Sequence, residues 1–176
     1  MMRFGLIGLG GIGEVRKQAL EVSPECKLTA AFDLDSAALA KLPDHVSVFK
    51  DAEQLMKSDA CDAVIISTPT HFHKDLVLTA LENGKHVIVE KPMASSLAQC
   101  EQMVETAERC GKLLTVGFTH RYFAAIRDVK TAIQSGALGK LRYVKGFAGH
   151  TGLSEFKAEW MYDKDSMGGG TLMDNG

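Results

Sequence analysis

A glycine-rich run near the start of the chain, Gly8-Leu-Gly-Gly-Ile-Gly13, has the composition and spacing to bind phosphate groups. It follows a short apolar run and precedes a helical pattern, so backbone N–H groups and the dipole of that helix would face an anion. Glycines let the chain turn tightly and let a phosphate approach the backbone. A merely flexible glycine turn would have the same composition, so the pattern alone is a weak signal. The prediction is a dinucleotide-binding loop that uses Gly8, Gly10, Gly11, Ile12 and Gly13.

An acidic residue, Asp33, lies at the end of the second predicted strand, 20 residues beyond Gly13. A carboxylate there can accept hydrogen bonds from ribose hydroxyls. It would repel a 2′-phosphate by roughly 4 kcal/mol for unit charges ~4 Å apart at an effective dielectric of 20. Because Leu34 follows it and no arginine reverses this preference, we expect NAD rather than NADP. The alternative is an acid that caps a helix together with Asp35.

The turn Thr68-Pro-Thr-His-Phe-His73 places hydroxyls and two imidazoles at the start of a helix, directly after a buried strand. Open parallel sheets bind ligands beyond the carboxyl ends of their strands. We therefore assign Thr68, Pro69 and His73 to the cofactor site. His71 and His73 could also be two ligands of a metal ion. No third ligand with matching spacing is evident, so no metal site is predicted.

The triplet Glu90-Lys91-Pro92 ends another strand and is the most informative of these segments. A lysine that ends a buried strand is costly unless its ammonium meets a carboxylate or a substrate oxygen. Glu90 and Lys91 are therefore assigned to the cofactor site, and Lys91 is also the candidate catalytic residue. The alternative is a surface salt bridge.

These segments need elements that bring them together, and apolar periodicity predicts six strands that alternate with helices. The strands are expected at residues 4–7, 28–32, 46–49, 63–67, 86–89 and 113–116. Alternation of this kind predicts a doubly wound parallel sheet, the Rossmann architecture, over residues 1–119. A helix at 123–135 and an antiparallel strand at 141–147 then begin a second α+β domain, residues 120–176, which we expect to be truncated.

Composition excludes several classes of protein. The 176 residues are 45% hydrophobic and 24% charged, which suits a packed globular core. The net charge of −2 comes without a long basic run, so nucleic acid is not an expected partner. No apolar segment is long enough to span a bilayer, and no charged leader with a cleavage site precedes the first strand, so we expect a cytoplasmic protein without membrane contact.

Together these residues resemble the Gfo/Idh/MocA oxidoreductases. The resemblance runs the full length of the chain and covers roughly the first half of such a protein. It depends on the glycine-rich run, Thr68-Pro69 with His73, the stretch Asn83-Gly-Lys-His-Val-Ile-Val-Glu-Lys-Pro92, Gly117-Phe118 with Arg121, and Gly168-Gly-Gly-Thr-Leu-Met-Asp-Asn-Gly176. Such proteins often have histidine where Arg16 stands, arginine where Met161 stands and proline where Ala124 stands, so local contacts at these three positions are open.

The resemblance implies hydride transfer between NAD and a secondary alcohol of a sugar, cyclitol or related polyol. Lys91 would lie beside the nicotinamide and the substrate. Asp174 would be the catalytic aspartate of a D-x-G-x-H pattern and would orient the substrate or the histidine, which falls two positions past Gly176. A homo-oligomer of the full-length protein is also implied. Candidate substrate-pocket residues, each of which has a structural alternative, are His120, Arg121, Tyr122, His150 and Trp160.

Two other functions remain open at this point. A sensor or regulator could bind the dinucleotide without turnover, because a fold does not dictate an activity. A methyltransferase sheet also carries a glycine-rich loop and an acid after its second strand, but it has no use for Glu90-Lys91-Pro92 or for the 168–176 run.

Overall fold

A computed structural model describes residues 1–147 and residue 163 of the chain. Its strands are β1 (Met2–Ile7), β2 (Cys26–Phe32), β3 (Ser47–Val48), β4 (Ala63–Ile66), β5 (His86–Val89) and β6 (Leu114–Val116). All pair in parallel to form one sheet with the order β3-β2-β1-β4-β5-β6. The predicted fold class, a doubly wound parallel sheet, is confirmed.

Helices follow the strands, and local sequence signals set their ends. They are α1 (Gly11–Val22), α2 (Ser36–Leu39), α3 (Ala52–Lys57), α4 (His73–Glu82), α5 (Leu97–Cys110) and α6 (Ala124–Gln134), with short 3-10 turns at Thr70–Phe72 and Thr119–Tyr122. The Asp51 carboxylate caps α3 by accepting from the Gln54 N–H at 2.7 Å. Gly111 ends α5 in the left-handed region, with φ of 62°.

Strand residues alternate between two apolar cores, one on each face of the sheet. Ile66 and Val89 face the core that α3, α4 and α5 cover, whereas Leu6 and Ile65 face the core that α1 covers. Every residue of β4 is buried, which explains why its sequence, Ala-Val-Ile-Ile, lacks the polar alternation of a strand with one wet face.

The register of the sheet brings the carboxyl ends of five strands to one edge. Ile7 pairs with Phe32 on one side and with Ile66 on the other. Ile66 pairs in turn with Val89, and Val89 pairs with Val116. The residues that follow these positions therefore lie side by side along a single edge, although up to about a hundred residues separate them in sequence.

The described residues divide into two compact units, Met1–Gly117 and a second unit that begins at Phe118. The predicted strand at 141–147 is wrong, since these residues have no regular secondary structure. Alternating apolar residues stabilise a strand only when a neighbour completes its hydrogen-bond ladder, and the described part of the chain supplies none there. Tyr143 and Phe147 are accordingly exposed. No described helix has the length and apolar character that a bilayer crossing requires.

Lys85 holds the segment between α3 and β4 in place and gives a test of the fold. The residue is 8% exposed, and its ammonium donates to the carbonyl oxygens of Ser58 at 2.6 Å and Cys61 at 2.9 Å. Lys85→Met keeps the apolar stem but removes both donors. We expect the free energy of unfolding to fall by about 1–3 kcal/mol, measured by urea titration.

Lys57→Met is the matched control, because its ammonium pairs with Glu53 on the surface of α3 and its side chain is 58% exposed. That variant should change the free energy of unfolding by less than about 0.5 kcal/mol. Equal unfolding midpoints for the two variants would contradict a structural role for Lys85.

Candidate functional site

The glycine-rich loop connects β1 to α1 and is held by backbone packing. Gly8 has φ of +94°, and a Cβ there would lie 2.7 Å from the Ser67 carbonyl oxygen. A Cβ at Gly13 would lie 2.1 Å from the Gly8 carbonyl oxygen, so the helix can approach the loop this closely only without a side chain. These two glycines bring the first turn of α1 against the end of β1.

The other glycines of the loop leave open space. A Cβ at Gly10 or Gly11 would meet no atom within 4 Å. Gly10 is the N-cap of α1, and as a glycine it provides no side-chain cap for the N–H groups of the first turn. An uncapped helix start beside open space suits an anionic group such as a pyrophosphate. Ile12, also assigned to the cofactor, lies in this turn and is 41% exposed.

Asp33 links the end of β2 to the loop. One carboxylate oxygen accepts a hydrogen bond from the Leu9 N–H, and the other accepts from the Asp35 N–H at 2.7 Å. Each oxygen keeps a second acceptor direction, so contact with ribose hydroxyls remains possible. Asp35 itself caps α2 by accepting from the Ala37 N–H. Asp35 is therefore the helix cap, whereas the Asp33 carboxylate holds the glycine-rich loop through the Leu9 N–H.

The segment after β4 contains two hydroxyls that need a partner. The side-chain oxygens of Ser67 and Thr68 are buried and have no hydrogen-bond partner among the described residues. Buried polar groups are almost always satisfied, so an ordered water or a polar ligand would complete this segment. Pro69 then precedes the 3-10 turn and is only partly exposed.

The His73 ring connects two loops through contacts with their backbone carbonyl oxygens. The side chain is 1% exposed, with Nε2 at 2.8 Å from the Thr68 carbonyl oxygen and Nδ1 at 2.9 Å from that of Pro92. Burial lowers the pKa of His73, while both carbonyl contacts oppose that shift. A neutral ring donates to one of these carbonyls at a time. Because the ring is enclosed by the two loops, His73 can affect a bound cofactor only through them.

In the triplet after β5, the buried charge belongs to Glu90 rather than to Lys91. Glu90 is 5% exposed, and its carboxylate accepts from the Arg16 Nε at 2.5 Å. Lys91 is exposed, and the peptide bond between it and Pro92 is cis. The desolvation cost that we expected for a buried Lys91 therefore applies to Glu90. Sequence reasoning treated Arg16 only as a departure from the family pattern.

The remaining candidates lie in the second unit or outside the described residues. His120, Arg121 and Tyr122 form the exposed 3-10 turn, where the His120 ring lies 5.0 Å from that of Phe123. The Arg121 guanidinium stands 5.7 Å from the centre of the Phe118 ring. Outside the described residues lie His150, Trp160 and Asp174. Among the residues described, no three His, Cys, Asp or Glu side chains are arranged as metal ligands.

The edge of the sheet thus combines an open helix start, a carboxylate, two unsatisfied hydroxyls and an exposed lysine within Met1–Gly117. These groups fit a dinucleotide, because the helix start suits its phosphates and the carboxylate and hydroxyls suit its sugars. They can bind and orient such a molecule.

Comparison with protein families gives two matches. Residues 2–118 match the family described as "Oxidoreductase family, NAD-binding Rossmann fold". Residues 126–176 match the "GFO/IDH/MocA C-terminal domain". The two matches together cover nearly the whole chain.

Several similar proteins are named inositol dehydrogenases. The chain is 31% identical to myo-inositol 2-dehydrogenase of Thermotoga maritima over 79% of its length, and that alignment covers 42% of the relative. It is 34% identical to scyllo-inositol 2-dehydrogenase (NAD(+)) of Bacillus subtilis, with coverage of 83% and 44%. The crystal structure of scyllo-inositol dehydrogenase from Lactobacillus casei with bound NAD(H) and scyllo-inositol aligns with a TM-score of 0.74 at 29% identity, covering 80% of this chain and 43% of that one. The chain therefore spans under half the length of these proteins.

Proposed function

Because the chain belongs to the GFO/IDH/MocA family of oxidoreductases, we propose that the complete protein transfers a hydride between NAD and a secondary alcohol of a cyclitol, sugar or related polyol. The observation that carries the proposal is the register of the sheet. It sets the glycine-rich loop, Asp33 and Glu90-Lys91 along one edge. Family membership removes the methyltransferase alternative.

Three parts of the edge would hold the cofactor. The first-turn N–H groups of α1 would bind the pyrophosphate, and Asp33 would accept from the adenosine ribose. The unsatisfied hydroxyls of Ser67 and Thr68 would contact the other half of the molecule. His73 would contribute indirectly, by holding the two loops that carry Thr68 and Lys91.

Chemistry would take place next to Lys91. The bound nicotinamide dinucleotide supplies the redox capacity for the reaction. The Lys91 ammonium would stabilise negative charge on the substrate oxygen that reacts. Asp174 would orient the substrate, and the histidine of the D-x-G-x-H pattern, two positions past Gly176, would take the proton. A polyol pocket would use His120, Arg121, Tyr122, His150 and Trp160.

Three further features belong to the same proposal. The dinucleotide-binding domain would comprise residues 1–119, and residues 120–176 would begin the substrate domain. The full-length protein would form a homo-oligomer, in keeping with the resemblance. We also propose a cytoplasmic location and no membrane or nucleic acid partner.

Turnover by the complete protein tests the proposal. NAD+ or NADP+ would be mixed with myo-inositol, scyllo-inositol or glucose 6-phosphate, and the absorbance of the reduced nicotinamide would be followed. We expect reduction of NAD+ with at least one polyol. Binding of NAD+ without reduction by a broad polyol panel would instead favour a sensor without turnover.

The choice of NAD over NADP leads to a prediction for Asp33. Asp33→Asn removes the charge but keeps an acceptor atom. It should lower the ratio of NADP+ to NAD+ dissociation constants by about fivefold or more, since unit charges ~4 Å apart repel by roughly 1–4 kcal/mol. Both constants can be measured by equilibrium dialysis. Asp35→Asn is the control, because it neutralises an adjacent acid that caps α2. An equal change in both variants would contradict a specific role for Asp33.

A further inference from the structure

A buried ion pair joins the phosphate-binding helix to the segment that carries Lys91. The Arg16 Nε donates to Glu90 Oε1 at 2.5 Å, and the two side chains are only 17% and 7% exposed. Arg16 lies one turn after Gly13 in α1, and Glu90 directly precedes Lys91. The pair spans 74 residues of sequence.

Gly117 also packs closely against the Glu90 carboxylate. A Cβ at Gly117 would lie 2.8 Å from Glu90 Oε2 and 3.0 Å from both Cδ and Oε1. The Gly117 N–H donates to the Val89 carbonyl oxygen at 2.8 Å, and the Glu90 N–H donates to that of Ile66 at 3.0 Å. The backbone on both sides is thus fixed by the sheet, and the carboxylate is confined between the end of β6 and Arg16.

A buried ion pair is a poor source of stability, because the cost of removing two charges from water offsets their attraction. An apolar pair of similar volume would serve the fold as well or better. The pair does hold Glu90 in a single orientation, since Arg16 and Gly117 enclose the carboxylate from two directions. Glu90 and Lys91 share a peptide bond, so the backbone that the Glu90 side chain anchors also carries Lys91.

We propose that Arg16 is a positioning residue that, through Glu90, fixes the Lys91 ammonium relative to the start of α1. The inference rests on the proposed function, in which that helix start binds the pyrophosphate and Lys91 acts on the substrate oxygen. Arg16 touches neither ligand in this account. Its removal leaves the phosphate-binding N–H groups in place and releases the segment around Lys91.

The test uses the complete protein and the variants Arg16→Met, Glu90→Gln and their combination. Arg16→Met should lower kcat by about 10- to 100-fold, the loss typical of a displacement of roughly 1 Å. The dissociation constant for NAD+ should change less than about threefold, because the first-turn N–H groups precede Arg16 in α1 and the other proposed contacts lie on the segments after β2 and β4. The double variant should lose no more than Glu90→Gln alone, since both changes break one pair.

Chemical labelling of Lys91 tests its position without requiring turnover. The rate at which acetic anhydride modifies Lys91 can be measured by mass spectrometry, with exposed Lys27 as the internal reference. Arg16→Met should change the relative rate at least about twofold. Lys17→Met is the matched control, because it removes a positive charge from the neighbouring position, where the ammonium pairs with Glu14 at 2.9 Å. This variant should keep the wild-type rate and kcat.

Several outcomes would overturn the inference: wild-type kcat and labelling in Arg16→Met, weaker NAD+ binding with unchanged kcat, or additive losses in the double variant. If Arg16→Met does not fold, Arg16→Lys takes its place and should retain more activity than Glu90→Gln. A wild-type protein that neither binds NAD+ nor oxidises a polyol would refute the proposed function instead. The labelling comparison would then still test whether Arg16 sets the position of Lys91.

Discussion

Replacing Lys91 with methionine in the complete protein is expected to lower kcat by about 100- to 1000-fold, with the NAD+ dissociation constant changed less than about threefold. Methionine keeps the length of the side chain and removes its charge. Loss of one charged donor to a developing oxyanion typically has an effect of this size. Steady-state kinetics with saturating polyol, combined with a binding titration, separates the two quantities.

Lys27→Met is the control for this prediction. Lys27 is also exposed, but it lies at the amino end of β2, opposite the edge that carries the candidate site. Its loss should leave kcat within about twofold, as expected for a surface substitution. Turnover by Lys91→Met at the wild-type rate would remove this lysine from the catalytic role.

Two alanine substitutions in the glycine-rich loop are expected to have different effects on stability but the same effect on binding. Gly13→Ala places a Cβ 2.1 Å from the Gly8 carbonyl oxygen, so the helix must move away from the loop. This overpacking should cost about 1–3 kcal/mol of unfolding free energy or more. Gly10→Ala meets no protein atom and has an ordinary φ of −64°, so stability should be retained or slightly raised.

Both variants should nevertheless weaken NAD+ binding by about tenfold or more, a loss of roughly 1.4 kcal/mol. In Gly13→Ala the cause is displacement of the loop. In Gly10→Ala the new methyl group occupies the open space that the proposal assigns to phosphate. Urea unfolding gives the free energy of unfolding of each variant, and NAD+ titration gives its dissociation constant. Wild-type affinity in Gly10→Ala would favour a glycine turn without a phosphate-binding role.

The fold was largely predictable because its signals are local. The bounds of β5 match the sequence expectation, since the run 86–89, in which Val87 and Val89 are buried, is preceded by the left-handed stop at Gly84. The cap of α3 is likewise a local contact, since Asp51 accepts from the Gln54 N–H three residues further on. β3 is shorter than expected, with two residues in place of four, because it lies at the sheet edge and pairs only with β2.

Features that depend on distant residues were not predictable. No local pattern connects Arg16 with Glu90, which form an ion pair in the structure. Residue type also does not show which of Glu90 and Lys91 is buried and therefore has the desolvation cost. The enclosure of His73 by two backbone carbonyls was hidden for the same reason. The strand expected at 141–147 shows the converse case, in which a pattern suited to a sheet lacks a neighbouring strand among the described residues.

In the proposed function, the aligned strand ends form a site for a nicotinamide dinucleotide. Calorimetric titration of the protein with NAD+ and NADP+ measures this binding alone, because the heat of binding requires neither a substrate nor turnover. We expect saturable binding of one NAD+ per chain, with a lower dissociation constant than that of NADP+. Absence of a binding signal with both nucleotides would contradict it.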